Sequence, residues 1–171
     1  MILSGREIKK ELGKKIIIDP FNEEQLNPNS YDLRLHDELL IYDERILDLK
    51  KENKTRRLSI PPDGFILEPG KLYLGRTIEY IKTDYYIPIL EGRSSIARLG
   101  IFVHISAGLG QIGSSGCWTL ELTSIQPIRI YANSALCQIL FETIEGDYQL
   151  YKNKYKEARD IQPSLFYKEF E

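Results

Sequence analysis

The chain has 171 residues, a formal net charge of −2, 42% apolar and 28% charged residues. That is enough chain for one domain with a real core, and the composition is that of an ordinary soluble globular protein. The near-neutral charge excludes a whole-molecule field toward nucleic acid or an anionic membrane. No apolar run approaches the roughly 20 residues of a membrane-spanning helix, and Met1 to Glu7 is too polar for a secretory signal. A cytoplasmic location is the expectation.

In chain order, Ser4 and Glu7 have the spacing of a capping box, and Ile8 and Leu12 follow at helical spacing. Gly13 is placed to end that helix, predicted over about 5–12. Ile16 to Ile18 reads as a short strand closed by Asp19-Pro20. Tyr31, Leu33 and Leu35 alternate with Asp32 and Arg34, the pattern of a half-buried strand. Leu39 to Tyr42 is a further strand, and the charged run 50–57 reads as a solvated loop. Strand-sized runs at 65–67, 72–76 and 85–90 lie between turn signals at Pro61-Pro62-Asp63-Gly64 and Pro69-Gly70. Eleven tyrosines suit strands better than a helical bundle. The fold class predicted is mainly β, a barrel-like or jelly-roll domain without internal repeats. Cys117 and Cys137 both sit in apolar runs and read as buried, reduced thiols.

The segment 91–100 stands apart: Gly92 and Gly100 bracket about two helical turns with Ser94 and Ser95 near the start. A helix N-terminus offers free amides to phosphate, and Ser94 and Arg98 share one face. On spacing alone, a capped surface turn with two solvated arginines fits equally well. In 101–106 the alternation puts His104 and Ser106 on the face opposite Ile101, Val103 and Ile105; a lone histidine there is more often structural. Gly108, Gly110, Gly113 and Gly116 form a close-approach loop without the Gly-Lys-Ser/Thr of a Walker motif. Trp118, Leu120 and Leu122 then point one way; Thr119, Glu121 and Thr123 point the other. A carboxylate in mid-strand among apolar neighbours suits proton transfer, and spacing leaves open a solvated surface charge.

Gly-Arg-Ser-Ser-x-Ala-Arg-x-Gly at 92–100, His-x-Ser-Ala-Gly at 104–108 and Thr-Leu-Glu at 119–121 together resemble the dCTP deaminase family, kin to the trimeric dUTPases. Asn29-Ser30-Tyr31-Asp32-Leu33-Arg34-Leu35, 127–131, Cys137-Gln138-Ile139 and Lys154-Tyr155 extend the likeness through most of the chain. The resemblance implies a single domain over 1–171 with a dUTPase-like distorted β-barrel (β-clip), short N-terminal and active-site helices, and a flexible C-terminal lid from about 147. It also implies a homotrimer whose sites lie between subunits, with dCTP as substrate. Glu121 would move protons between water, the pyrimidine ring and the leaving amine, while Ser94 and Arg98 hold that water. Arg93, Ser95, His104, Ser106, Ala107, Gln111, Thr119, Leu120 and Gln138 would bind substrate, with Tyr151 and Lys154 closing over the triphosphate. No catalytic metal is implied: two histidines and two distant cysteines cannot build the zinc site of other nucleobase deaminases. Mg²⁺ would enter as partner of the triphosphate.

Three positions depart from the family pattern. Gln111 stands where Asp is usual, Ser114 where an aromatic packs under the sugar, and Ala158 where Gln or Asn follows the tail lysine. Glutamine cannot act as a base. The reading that follows is deamination of dCTP to dUTP and ammonia. Two alternatives stand beside it: a bifunctional enzyme continuing to dUMP and pyrophosphate, and a nucleotide-binding regulator without catalysis.

Overall fold

The computed structural model describes residues 1–152 and 154–170; Asn153 and Glu171, both within the predicted tail, lie outside the described residues. Helix α1 (Gly5–Glu11) starts where the capping box puts it, with the Ser4 hydroxyl accepting the Glu7 N–H and Ile8 fully buried. Strands β1 (Ile17–Asp19), β2 (Tyr31–Arg34), β3 (Glu38–Tyr42), β4 (Thr55–Ser59), β5 (Phe65–Leu67), β6 (Tyr73–Lys82) and β7 (Ile87–Gly92) follow. A short helix α2 (Ser94–Ala97) precedes β8 (Ile101–Phe102), β9 (Ser115–Ser124), β10 (Ile128–Ile130) and β11 (Ala135–Glu142).

The strands form three antiparallel sheets. The largest runs β4-β3-β6-β9-β8 with β1 also on β6; β2-β11-β7 is the second and β5-β10 the third. All three feed one core: Leu33 from β2, Leu67 from β5, Leu120 and Leu122 from β9, and Ile139 and Phe141 from β11 are fully buried. The fold is thus mainly β, as the alternating patterns require.

Three elements differ from the sequence expectation, each for a physical reason. Strand β2 is buried on both faces, Asp32 included, because that carboxylate meets Arg93 at 3.1 Å. The second half of the charged run 50–57 belongs to a strand: β4 pairs with β3, and its arginines are held by Asp43, Glu38 and Asp160. The alternation over 101–106 ends as a strand at Phe102, and the next residue turns its carbonyl to the Glu121 N–H at 3.0 Å.

Strand β6 carries an irregularity between Arg76 and Tyr80 opposite β9. Thr77 fills it, accepting the Trp118 N–H and donating to the Glu79 carbonyl. The Glu79 carboxylate is fully buried and is met by the Arg34 side chain at 2.7 Å, the Arg34 N–H at 2.8 Å and Gln25 at 2.9 Å. A buried charge needs such partners.

Candidate active site

Strand β9 forms the floor of the site. Glu121 sits opposite Leu74 of β6, and the full burial of Leu120 and Leu122 on either side of it anchors the strand. The half-buried Glu121 carboxylate accepts the Ile105 N–H at 2.8 Å, which fixes one oxygen. A cavity of about 670 Å³ opens above it. Its walls come from the loop after β8 (Ser106, Ala107, Gln111), from β9 (Thr119, Glu121) and from the C-terminal tail (Tyr151). These six sequence-predicted residues therefore surround one space.

The others do not line it. The Leu120 side chain is core, so only its backbone is available to a ligand. His104 is half-buried near Glu91, 3.9 Å from that carboxylate, and packs on Gly108, where a Cβ would come within 3.0 Å of its ring. The Gln138 side chain is spent inside the fold, donating to the Gly92 carbonyl at 3.2 Å and accepting from Ser30 at 2.6 Å. Arg93 bonds the Ala135 carbonyl at 2.9 Å and pairs with Asp32. Ser94 and Ser95, on α2, and Arg98, its C-cap, are exposed. Lys154 is bound to Glu169 at 2.6 Å and to the Leu165 carbonyl. Among the described residues, no cationic side chain lines the cavity.

Sequence alternation missed Cys117, Trp118, Tyr155 and Gln162, which also line it. The edge of β9 is bonded by Ala158 at Cys117 and by Val103 at Glu121, and the cavity is lined along that strand by Ser115 to Thr119 and Glu121. It thus meets both faces of the strand, whereas a period of two sorts residues by face and carries no signal for an edge. Burial raises the pKa of the Cys117 thiol, against the lowering effect of nearby Arg76. In Cys137, fully buried, desolvation pushes it up further. Both favour inert thiols.

The tail is docked along β9. Glu157 donates its N–H to the Ser115 carbonyl, Cys117 donates to Ala158, and Gln162 donates to the Thr119 hydroxyl at 3.0 Å. The Glu157 carboxylate accepts from the Tyr80 hydroxyl at 2.8 Å and from Ser115 at 2.9 Å. Those two bonds, Tyr80's first, hold its pKa below the ordinary value. Burial, then the Glu157 bond, raises that of Tyr80. Asp160 forks onto Arg57 at 2.7 and 3.1 Å, which lowers the Asp160 pKa. Gly116, at φ +141°, is needed for this docking: a Cβ there would stand 2.5 Å from the Ala158 carbonyl.

Among the described residues, one set of acidic and histidine ligands close enough to share an ion, His36, Asp37 and Glu38, lies apart from the cavity lining. Among the described residues, no helix is long and apolar enough to cross a membrane.

A family model described as dCTP deaminase-like matches residues 2–144. The chain is 59% identical over 171 residues to a Clostridium acetobutylicum protein named dCTP deaminase, dUMP-forming, covering 99% of each. It is equally identical over 172 residues to the protein of that name from Hathewaya histolytica, over the full length of both. The relative of that name from Cytophaga hutchinsonii is 58% identical over 172 residues, covering all of this chain and 99% of that one. Among solved structures, the 2′-deoxycytidine 5′-triphosphate deaminase from Agrobacterium tumefaciens shares the fold with a TM-score of 0.66 at 22% identity. The match covers 83% of this chain and 48% of that one, so this chain spans about half its length. With the match running through most of its length, the chain belongs to the dCTP deaminase-like family.

Proposed function

We propose that the protein converts dCTP to dUMP, ammonia and pyrophosphate at one site. The observation that carries the deaminase half is the Glu121 carboxylate, half-buried on the cavity floor with one oxygen fixed by the Ile105 amide. Water adds to C4 of the cytosine ring while Glu121 takes its proton and passes it to N3. The same carboxylate then takes the proton of the new C4 hydroxyl and delivers it to the departing amine; the C4 carbonyl forms as the C–N bond breaks, and ammonia leaves a uracil ring. A fixed carboxylate in a partly closed cavity performs this transfer with little reorganisation. Backbone groups at Ser106 and Ala107 read the base edge, and Gln111 hydrogen-bonds the sugar.

The second half differs from what the sequence alone favours. Gln111 cannot act as a base, which pointed to dUTP as the final product. Relatives 58–59% identical over essentially the whole chain are named dUMP-forming, and they support a second water attacking the α-phosphorus with pyrophosphate leaving. Mg²⁺ accompanies the triphosphate as its counter-ion.

A triphosphate requires cations, and the single-chain cavity is lined by none among the described residues. The exposed turn at α2 presents Ser94, Ser95 and, at its C-cap, Arg98, and Arg93 precedes it. In this reading α2 of a second copy completes the site, within a cytoplasmic homotrimer whose subunits share active sites. That arrangement also gives a use to Leu99, Phe102 and Ile125, large apolar residues left exposed in one copy.

The test is to incubate the protein separately with dCTP, CTP and dUTP and quantify ammonia, pyrophosphate and each nucleotide. Ammonia, dUMP and pyrophosphate from dCTP are expected. Accumulation of dUTP without pyrophosphate would restore the simple deaminase, and binding without ammonia would leave only a nucleotide-binding regulator. Light scattering at working concentration reads the trimer.

A further inference from the structure

The motif Asn29-Ser30-Tyr31-Asp32 contributes nothing to the cavity lining, yet two of its polar side chains are buried, Ser30 at 4% exposure and Asp32 at 7%. Burying polar groups is costly unless they bond to something that matters to the fold or the site. Asp32 pairs directly with Arg93 at the entrance of α2, and Ser30 reaches that entrance through Gln138.

Helix α2 has four residues, none of them buried, and its N-cap, Arg93, makes no side-chain capping bond. A single uncapped turn does not hold itself. Its attitude is set instead by the two residues ahead of it. The Arg93 guanidinium bonds the Ala135 carbonyl at 2.9 Å and lies 3.1 Å from the Asp32 carboxylate. The other Asp32 oxygen accepts from Asn27 at 2.8 Å. The Gly92 carbonyl is gripped by Gln138, which is itself oriented by Ser30.

From this geometry we infer that Asp32 is a positioning residue: by clamping Arg93, it aims the turn that presents Ser94 and Arg98. The inference rests on the deaminase reading for the roles of Ser94 and Arg98, and on the hydrogen bonds alone for the clamp. Misplacing a catalytic group by about 1 Å costs up to roughly 100-fold in rate.

The experiment is a double-mutant cycle with Asp32→Asn and Arg93→Gln, read by dCTP deamination and by amide hydrogen exchange. Asp32→Asn should lower kcat about tenfold or more, and the double variant should be no worse than the poorer single one. Exchange over residues 94–100 should accelerate about tenfold while β9 amides stay protected. Additive losses, an unchanged kcat in an active wild type, or equal acceleration in β9 and α2 would overturn the clamp, the last by showing general destabilisation. If Asp32→Asn does not fold, Asn27→Ala removes one bond to the same carboxylate. It should show the local exchange signature in smaller measure, and its absence would likewise overturn the proposal. An inactive wild type sinks the deaminase reading, whereas the exchange measurement still decides the clamp.

Discussion

Two regions face each other across the cavity, and they are held in different ways. The β9 floor is laddered to β6 along most of its length and backed by Leu120 and Leu122 with no exposed surface. The tail is held by a few backbone bonds and by side chains: Glu157 on Tyr80 and Ser115, Asp160 on Arg57, and the buried Ile161 against Leu40 and Leu74. Core strands open only with global unfolding, whereas segments held by exposed hydrogen bonds open at small cost. Under the proposed reading the difference divides the work: proton transfer goes to the floor, and admission of the nucleotide to the tail.

The sharpest way to break that division is Glu121→Gln. The amide keeps the shape and loses the base, so ammonia release should fall by about 10²–10⁴-fold while calorimetric dCTP affinity stays nearly the same. Comparable turnover by this variant would move the chemistry elsewhere. Next in size is Leu122→Ala, a cavity beneath the floor. It should cost about 2–5 kcal/mol of stability in a denaturant titration. A much smaller loss would mean that β9 is no more rigid than the tail.

Glu121 and the tail also differ in how much of them can be read from the chain. Alternation through Trp118 to Thr123 puts Glu121 opposite the buried leucines, and the structure keeps that division for Leu120 and Leu122. The motif at 92–100 gives the helical turn at α2. The anchoring of that turn could not be read, because Asp32, Arg93 and Gln138 are brought together by pairing between strands distant in sequence. Period-2 logic placed Asp32 on an exposed face, since the pattern cannot show that β2 is covered on both sides. The docking of the tail was equally hidden. It depends on single bonds at Glu157, Asp160 and Gln162, and no hydrophobic period marks them.

The tail's hold should depend on pH in a way the floor's does not. Glu157 and Asp160 titrate below their ordinary values when docked. Their contribution is therefore complete above the free-carboxylate range, about pH 4, and is lost as pH falls through the depressed docked values. Tyr80 titrates above its ordinary value, so its contribution is present below about pH 10 and disappears at more alkaline pH. Limited proteolysis or exchange over residues 155–162 should show a plateau between roughly pH 5 and 10. Opening at both ends is expected, with β9 protected throughout. Glu157→Ala should abolish the acid limb due to that residue and raise KM for dCTP about tenfold, with kcat little changed.

The smallest effect is expected where the two regions touch. The Thr119 hydroxyl belongs to the floor by sequence but accepts the Gln162 N–H of the tail. Thr119→Val removes that acceptor at nearly constant volume. A single neutral hydrogen bond is worth about 0.5–1.5 kcal/mol, so KM should rise roughly two- to tenfold, with kcat and thermal midpoint held. If kcat fell instead, Thr119 would be acting on the reacting base rather than fastening the tail. The boundary between the two regions would then lie one hydrogen bond further toward the C-terminus than the structure draws it.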